Sequence, residues 1–337
     1  MKSALIKFAK TFLPLLFGLF IFWLVFRKMD FKEIILILKQ DVNFRYILLS
    51  LPFGLAGNIM RALRWNLLIR PLGYRPKMSN LIYAVLGNYG VNLVFPRLGE
   101  VWRCTMISRY EKIPFAKLFG TLITDRLMDA IVVILIVVAV FIMNVPYFES
   151  FFTQYPEYST TFNHIIFSVW TYVIIVAIGL SIGILFVAFK HHAWIKKTKQ
   201  MCGNVWEGIL SIANMKNKSL FFFQTLLIWL CYFLFFYICF YAFPFTENLG
   251  WNRGLITFVM SSIAVIVPVQ GGIGPWHAMV IAVLMGFGIS NTDAGAFAFC
   301  VHTIQQLIFT AAYGLFGVLA LPIVNKINEE KNETENI

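Results

Sequence analysis

Twice in this chain an apolar run of membrane grade ends in a Pro-x-x-Gly turn, at Pro96-Arg97-Leu98-Gly99 and at Pro268-Val269-Gln270-Gly271. Lipid cannot satisfy the backbone groups that such a break frees, so a simple spanning helix would avoid it. Broken helices at membrane depth are tolerated where they line protein or a polar cavity, which points to a transport site. That argument needs a membrane chain, and composition supplies one: 59% of the 337 residues are hydrophobic, 13% are charged, and the mean hydropathy is +0.76. No long polar block remains from which a water-soluble catalytic domain could be built.

Apolar segments fall near residues 8–26, 44–60, 79–95, 114–143, 163–189, 219–243, 254–268, 275–290 and 293–324. The first has a basic flank (Lys2, Lys7, Lys10) but runs on without a small-residue cleavage signature, so it reads as a first span and not as a removed leader. Segments 254–268 and 275–290 are too short to cross comfortably and are joined by Gly271-Gly272-Ile273-Gly274, the pattern of a re-entrant hairpin. By the same logic 79–95 and the mixed stretch from about Glu100 to Arg109 form a second hairpin. The expected fold is all-α and polytopic, with about six full spans and two re-entrant hairpins in one domain over residues 1–324. Residues 325–337 are expected to be a short polar cytoplasmic tail.

Charge bias orients these elements. The loop 144–162 has no Lys or Arg but carries Glu149 and Glu157, whereas 190–218 carries Lys190, Lys196, Lys197, Lys199, Lys216 and Lys218. The first is expected outside and the second in the cytoplasm, which puts both termini inside and all but six of the 28 Lys and Arg with them. The exception is the basic stretch 27–45, where Phe31, Ile34, Ile35 and Leu38 recur at helical spacing and predict an interfacial helix. The two hairpins then enter from opposite sides, the arrangement of an inverted repeat whose site lies near the midplane.

Motifs spread over most of the chain resemble one family. Arg61-Ala62-Leu63-Arg64-Trp65, Pro96-Arg97-Leu98-Gly99-Glu100 with Arg103, Asp125-Arg126-Leu127-Met128-Asp129, and Pro268 with Gly271-Gly272-Ile273-Gly274 together resemble the lysylphosphatidylglycerol synthase transmembrane region, or flippase-like, family. Its best-known members, the multiple peptide resistance factors, fuse such a membrane domain to a soluble aminoacyl transferase. This chain stops some 13 residues beyond its last apolar segment, so the resemblance implies the lipid-moving half and not the synthase reaction. One departure stands out: the family usually carries an acidic residue where this chain has His277, and a carboxylate-dependent role there does not transfer.

Each candidate site residue has a functional and a bland reading. Glu100 and Arg103, at i and i+3, share a helix face; with Arg97 they either offer cationic donors to a lipid phosphate or only fix a hairpin turn in headgroup water. Asp125 and Asp129 share a face at i, i+4, and Arg126 can reach Asp129; the carboxylates could share a proton, clamp an arginine or lock two segments together. A metal is not expected, because no His or Cys joins them. Arg61 and Arg64, beside Trp65, read either as a positive-inside anchor with an aromatic belt residue or as a trap for anionic headgroups. Gly271, Gly272 and Gly274 allow a tight turn into a helix whose N-terminus favours an anion, and His277 is expected to be a neutral hydrogen-bonding group there. His164, His191, His192 and His302 show no ligand-like grouping, and the dispersed Cys104, Cys202, Cys231, Cys239 and Cys300 suggest neither disulfide nor zinc.

The expected function is translocation of an anionic or polyisoprenoid-linked lipid between leaflets of the cell membrane, without cofactor, nucleotide or nucleic-acid partner. Two alternatives remain. One is a non-enzymatic membrane partner of a separately encoded lipid glycosyltransferase or aminoacyl transferase; the other is an enzyme acting on lipid-linked substrates, for which no catalytic motif is visible.

Overall fold

The structure, a computed structural model, describes residues 2–27, 29–154, 215–264, 267 and 269–335, with isolated positions between 155 and 214. It is all-α. Over the described residues the helices are α1 (Lys2–Phe26), α2 (Phe31–Gln40), α3 (Phe44–Ile69), α4 (Met78–Val94), α5 (Leu98–Glu111), α6 (Phe115–Met143) and α7 (Val145–Gln154). After residue 214 come α8 (Lys218–Tyr237), α9 (Gly250–Ala264), α10 (Pro275–Gly286), α11 (Asn291–Val301) and α12 (Thr310–Glu335). A π-helical stretch, His302–Phe309, joins the last two into one continuous helix.

Local chemistry sets the helix starts. Asp30 and Asn43 cap α2 and α3, accepting from the backbone N–H of Lys32 at 2.8 Å and of Arg45 at 3.3 Å. The basic stretch around α2 is a helix, as its spacing predicts, although it turns Ile34 and Ile37 inward and leaves Ile35 exposed. Four stretches are long and apolar enough to cross a membrane: Phe44–Leu72, Phe115–Met143, Lys218–Ala242 and Asn291–Ile327. These four are counted among the described residues alone. In α1 only Leu13–Phe26 qualifies, as a shorter apolar helix, and the expected segment 163–189 lies outside the residues described as continuous structure.

Two apolar cores lie along these long helices. One gathers Ile47 of α3, Val140 of α6 and Phe236 of α8 with Phe26, Trp276 and Phe297. The other gathers Ala62 and Trp65 of α3, Leu118 and Leu122 of α6 and Phe221 of α8 with Leu81 and Ile107. Between the two, on the same three helices, lies a belt of buried polar residues that includes Asn58, Arg61, Asp125, Asp129 and Thr225.

The first Pro-x-x-Gly turn closes a helical hairpin of α4 and α5. Arg97 sits in the left-handed region (φ 65°), and Gly99 N–H donates to Asn92 Oδ1 at 2.8 Å. A side chain at position 99 would collide with the Asn88 carbonyl, which is why the turn needs glycine. α4 also pairs closely with α12: a Cβ on Gly90 would lie 2.8 Å from the backbone of Gly314, the small-residue contact that lets membrane helices touch. At the far end of that pair Asn80 and Asn325 exchange amide hydrogen bonds of 3.1 and 2.8 Å. Asn325 is therefore buried, and the polar stretch after residue 324 continues α12 as helix to Glu335.

Candidate functional site

Helical periodicity assembles the polar belt. Arg61 and Arg64 share one face of α3, and Thr121, Asp125 and Asp129 recur at i, i+4, i+8 on one face of α6. At about 1.5 Å per residue, Asp125 and Asp129 lie about 15 and 21 Å from the start of the 29-residue α6. That is too deep for either carboxylate to reach an end of the helix. Such charges are costly to bury and must be paired.

The pairing is dense. Arg64 Nε donates to Asp125 Oδ1 at 2.9 Å, its Nη2 to Asp129 Oδ1 at 2.7 Å, and its Nη1 to Thr225 Oγ1 of α8 at 3.2 Å. Arg61 pairs with Asp129 through Nη1 and donates from Nε to the Tyr232 hydroxyl at 3.3 Å, which in turn donates to Asn58 Oδ1 at 2.8 Å. Arg126 lies 3.4 Å from Asp129 and 3.7 Å from Glu100. Among the described residues the cluster opens on that side, where the Arg126 and Glu100 side chains are 35% and 23% exposed.

Arg103 of α5 differs from the other three. It is fully buried, its guanidinium lies 4.2 Å from the centre of the Trp65 ring, and Nη2 approaches Asp125 Oδ2 only to 3.7 Å. None of its three nitrogens has a hydrogen-bond partner among the described residues. Trp65 is fixed beneath it by an Nε1 bond to Thr121 Oγ1 at 3.0 Å. Among the described residues four guanidinium groups face three carboxylates here, one cation in excess, and Arg103 is the one without charge-assisted hydrogen bonds.

Seven predicted residues thus meet in one place: Arg61, Arg64, Glu100, Arg103, Asp125, Arg126 and Asp129. Within it Glu100 and Arg103 share a face but not a bond: α6 brings Arg126 against Glu100, and Asn92 Nδ2 donates to Glu100 Oε2 at 3.2 Å. Arg61, Arg64 and Trp65 are all buried. Arg97 stays exposed in the hairpin turn, outside the cluster.

Gly271, Gly272, Gly274 and His277 form a separate centre. The three glycines take φ of 57°, 74° and 92°, and the turn they make rests on Leu93 at the end of α4, on Leu307 and on α1. Pro268 lies outside the described residues. At N3 of α10, His277 Nδ1 accepts from the N-cap Gly274 N–H at 3.4 Å, half of a capping box. A nitrogen that accepts carries a lone pair, so this bond needs the neutral ring. Sequence reasoning missed His302, whose ring centre lies 4.3 Å from that of His277 and whose Nε2 is 2.7 Å from the Gly271 carbonyl. Its signal was helical-hairpin arithmetic, since 277 and 302 sit at similar distances from the turn between α10 and α11. His164, His191, His192 and Cys202 fall outside the described residues.

Comparison with known proteins agrees with this architecture. The profile of the lysylphosphatidylglycerol synthase TM region matches residues 11–314, so the chain belongs to that family of multi-pass membrane proteins. It is similar to a UPF0104 membrane protein of Methanocaldococcus jannaschii, 25% identical over 127 residues, 37% of this chain and 38% of that protein. A shorter stretch is similar to the glycosyltransferase AglD of Haloferax volcanii, 32% identical over 75 residues, 22% of this chain and 12% of that protein. The matched stretches thus span well under half the length of either relative. No solved structure matches the chain.

Proposed function

With membership of this family as the premise, we propose that the protein moves an anionic, phosphate-bearing lipid between leaflets, its headgroup binding at Arg103. The observation that carries this reading is the buried guanidinium of Arg103, which has no hydrogen-bond partner among the described residues, in a cluster to which those residues bring four guanidinium groups and three carboxylates. A phosphodiester or phosphomonoester would supply the missing negative charge and acceptors for the planar fork. The headgroup reaches it past the partly exposed Arg126–Glu100 pair, while the acyl or isoprenoid tails stay in lipid. In the topology we favour, both termini are cytoplasmic, and the α4–α5 and α9–α10 hairpins are re-entrant from opposite sides. The packing of the glycine turn on Leu93, at the end of α4, supports hairpin tips that meet inside the membrane. No bond is made or broken in this reading, and no cofactor enters it.

Arg103→Gln separates this role from a structural one. Removing a cation that makes no hydrogen bond among the described residues evens the charges of the cluster, so the variant should melt at the wild-type temperature or above it. It should also lose leaflet-resolved movement of fluorescent phosphatidylglycerol and polyprenyl phosphate in proteoliposomes. Arg103→Lys should restore movement only in part, since the fork is lost. Wild-type lipid movement by Arg103→Gln would overturn the assignment. The similarity to part of AglD favours a second reading, a membrane partner for a lipid glycosyltransferase. That reading predicts no lipid movement by the purified wild-type protein and a dependence of the transferase on its presence.

A further inference from the structure

We propose that His277 and His302 form a single proton-binding site whose occupancy opens the Gly271–Gly274 turn, which makes the proton the coupling ligand of this protein. The inference rests on the lipid-moving reading only for its last step, from turn to transport.

Hydrogen bonds fix the proton positions in the closed turn. Gly274 N–H can only donate, so His277 Nδ1 is unprotonated; the Gly271 carbonyl can only accept, so His302 Nε2 carries hydrogen. A proton added to His277 Nδ1 would convert the acceptor into a donor facing a donor, and the bond that caps α10 would be lost. It would also place a cation at the N-terminus of that helix. With the ring centres 4.3 Å apart, two imidazolium ions cannot coexist, so the pair takes one proton at most.

Among the described residues the two imidazoles have aromatic neighbours. Phe22 and Phe26 of α1 and Trp276 of α10 lie against the pair, and Phe299 of α11 packs on the two phenylalanines. α9, which packs against α10, buries Thr257, Ser261 and apolar groups, and α4 supplies Leu93 beside Gly271. None of these titrates in the range of histidine or carries charge. The closed turn therefore has no place for a proton on His277, and the open one does. Linkage then requires that protons favour the open form.

Opening has a mechanical consequence. The Gly274 α-carbon is so close to α1 that a Cβ there would lie 2.5 Å from the Gly18 carbonyl and 2.8 Å from Ile21. His302 begins the π-helical stretch, a widened turn of the kind that collects at functional sites. Releasing the turn frees the start of α10 from α1 and from the end of α4, the hairpin beside the arginine cluster.

The test uses the full chain in detergent micelles, labelled with 15N-glycine and 15N-histidine, with His164, His191 and His192 replaced by Gln. Resonances are followed from about pH 5 to 8, bracketing the ordinary histidine range. The expected result is uptake of one proton by the two imidazoles and movement of the Gly274 amide with the same midpoint as the His277 ring. His277→Gln, which keeps an acceptor at N3, should abolish the Gly274 response. Uptake of two protons, neutral rings throughout, or a Gly274 amide indifferent to the His277 titration would each overturn the proposal. None of these signals needs lipid movement. A responsive turn in a protein that moves no lipid would sink the transport reading and leave the proton site standing.

Discussion

The arginine cluster and the histidine turn answer the burial of polar groups in opposite ways. Between the two apolar cores, Arg61, Arg64, Asp125 and Asp129 offset their desolvation with charge against charge, while Arg103 approaches Asp125 only to 3.7 Å and has no hydrogen-bond partner among the described residues. At the start of α10, His277 and His302 offset theirs with neutral bonds to the backbone of a glycine turn, and no charge is left over. A site of the first kind can hold an anion; a site of the second kind holds geometry that one proton can undo. The difference also sets how each should fail, because a broken ion pair strands a charge whereas a broken neutral bond strands only a dipole.

The largest effect is therefore expected at Asp125. It is fully buried and faces Arg64 at 2.7 Å, Arg61 at 3.6 Å and Arg103 at 3.7 Å. Asp125→Asn raises the excess from one cation to two and should cost about 3–5 kcal/mol, read as a lowered melting temperature in detergent. The double variant Asp125→Asn with Arg64→Gln should lose less than the sum of the singles, as coupled charges do. His302→Asn should cost clearly less than Asp125→Asn. Equal losses at the two residues would break the comparison.

A smaller effect is expected in the glycine turn. Gly274 and Gly73 both have positive φ, 92° and 87°, but Gly73 is in the left-handed helical region (ψ 8°) whereas Gly274 has ψ −75°; a Cβ at 73 meets nothing within 4 Å and one at 274 meets α1. Gly73→Ala should cost the left-handed penalty alone, about 1–2 kcal/mol. Gly274→Ala should add about 1–3 kcal/mol of overpacking to a backbone penalty at least as large. Matching losses at the two positions would show that the turn does not bear on α1.

Much of both centres could be read from spacing, because residues that share a helix face are fixed by the helical repeat. Asp125 with Asp129, Arg61 with Arg64 and both Pro-x-x-Gly breaks were legible for that reason, as was the helix after Phe31. What spacing does not contain is the angle at which faces meet. Glu100 and Arg103 have the right separation for a pair, but docking of α5 on α6 gives Glu100 to Arg126 and turns Arg103 onto Trp65. Trp65 looked like a membrane-interface residue because Trp beside Arg is common there; its burial depends on Thr121, 56 positions away. His302 and the Asn80–Asn325 pair were hidden likewise, since nothing local marks a partner on another helix.

The smallest effect is expected at the mouth of the cluster, where Arg126 resembles its neighbours in sequence but not in setting. Its side chain is 35% exposed, and its partners Asp129 and Glu100 lie at 3.4 and 3.7 Å, looser than the 2.7 Å contacts of Arg64. Asp129 keeps Arg61 and Arg64 when Arg126 is removed. Arg126→Gln should therefore cost no more than about 1 kcal/mol, as partly exposed pairs do. If this edge opens to water, added salt should shrink the cost, because mobile ions screen exposed charges and reach buried ones far less. Arg64→Gln, at the centre, should lose several times as much and be indifferent to salt. A salt-independent loss at Arg126 as large as that at Arg64 would close the mouth, and with it the route by which a headgroup is held to reach Arg103.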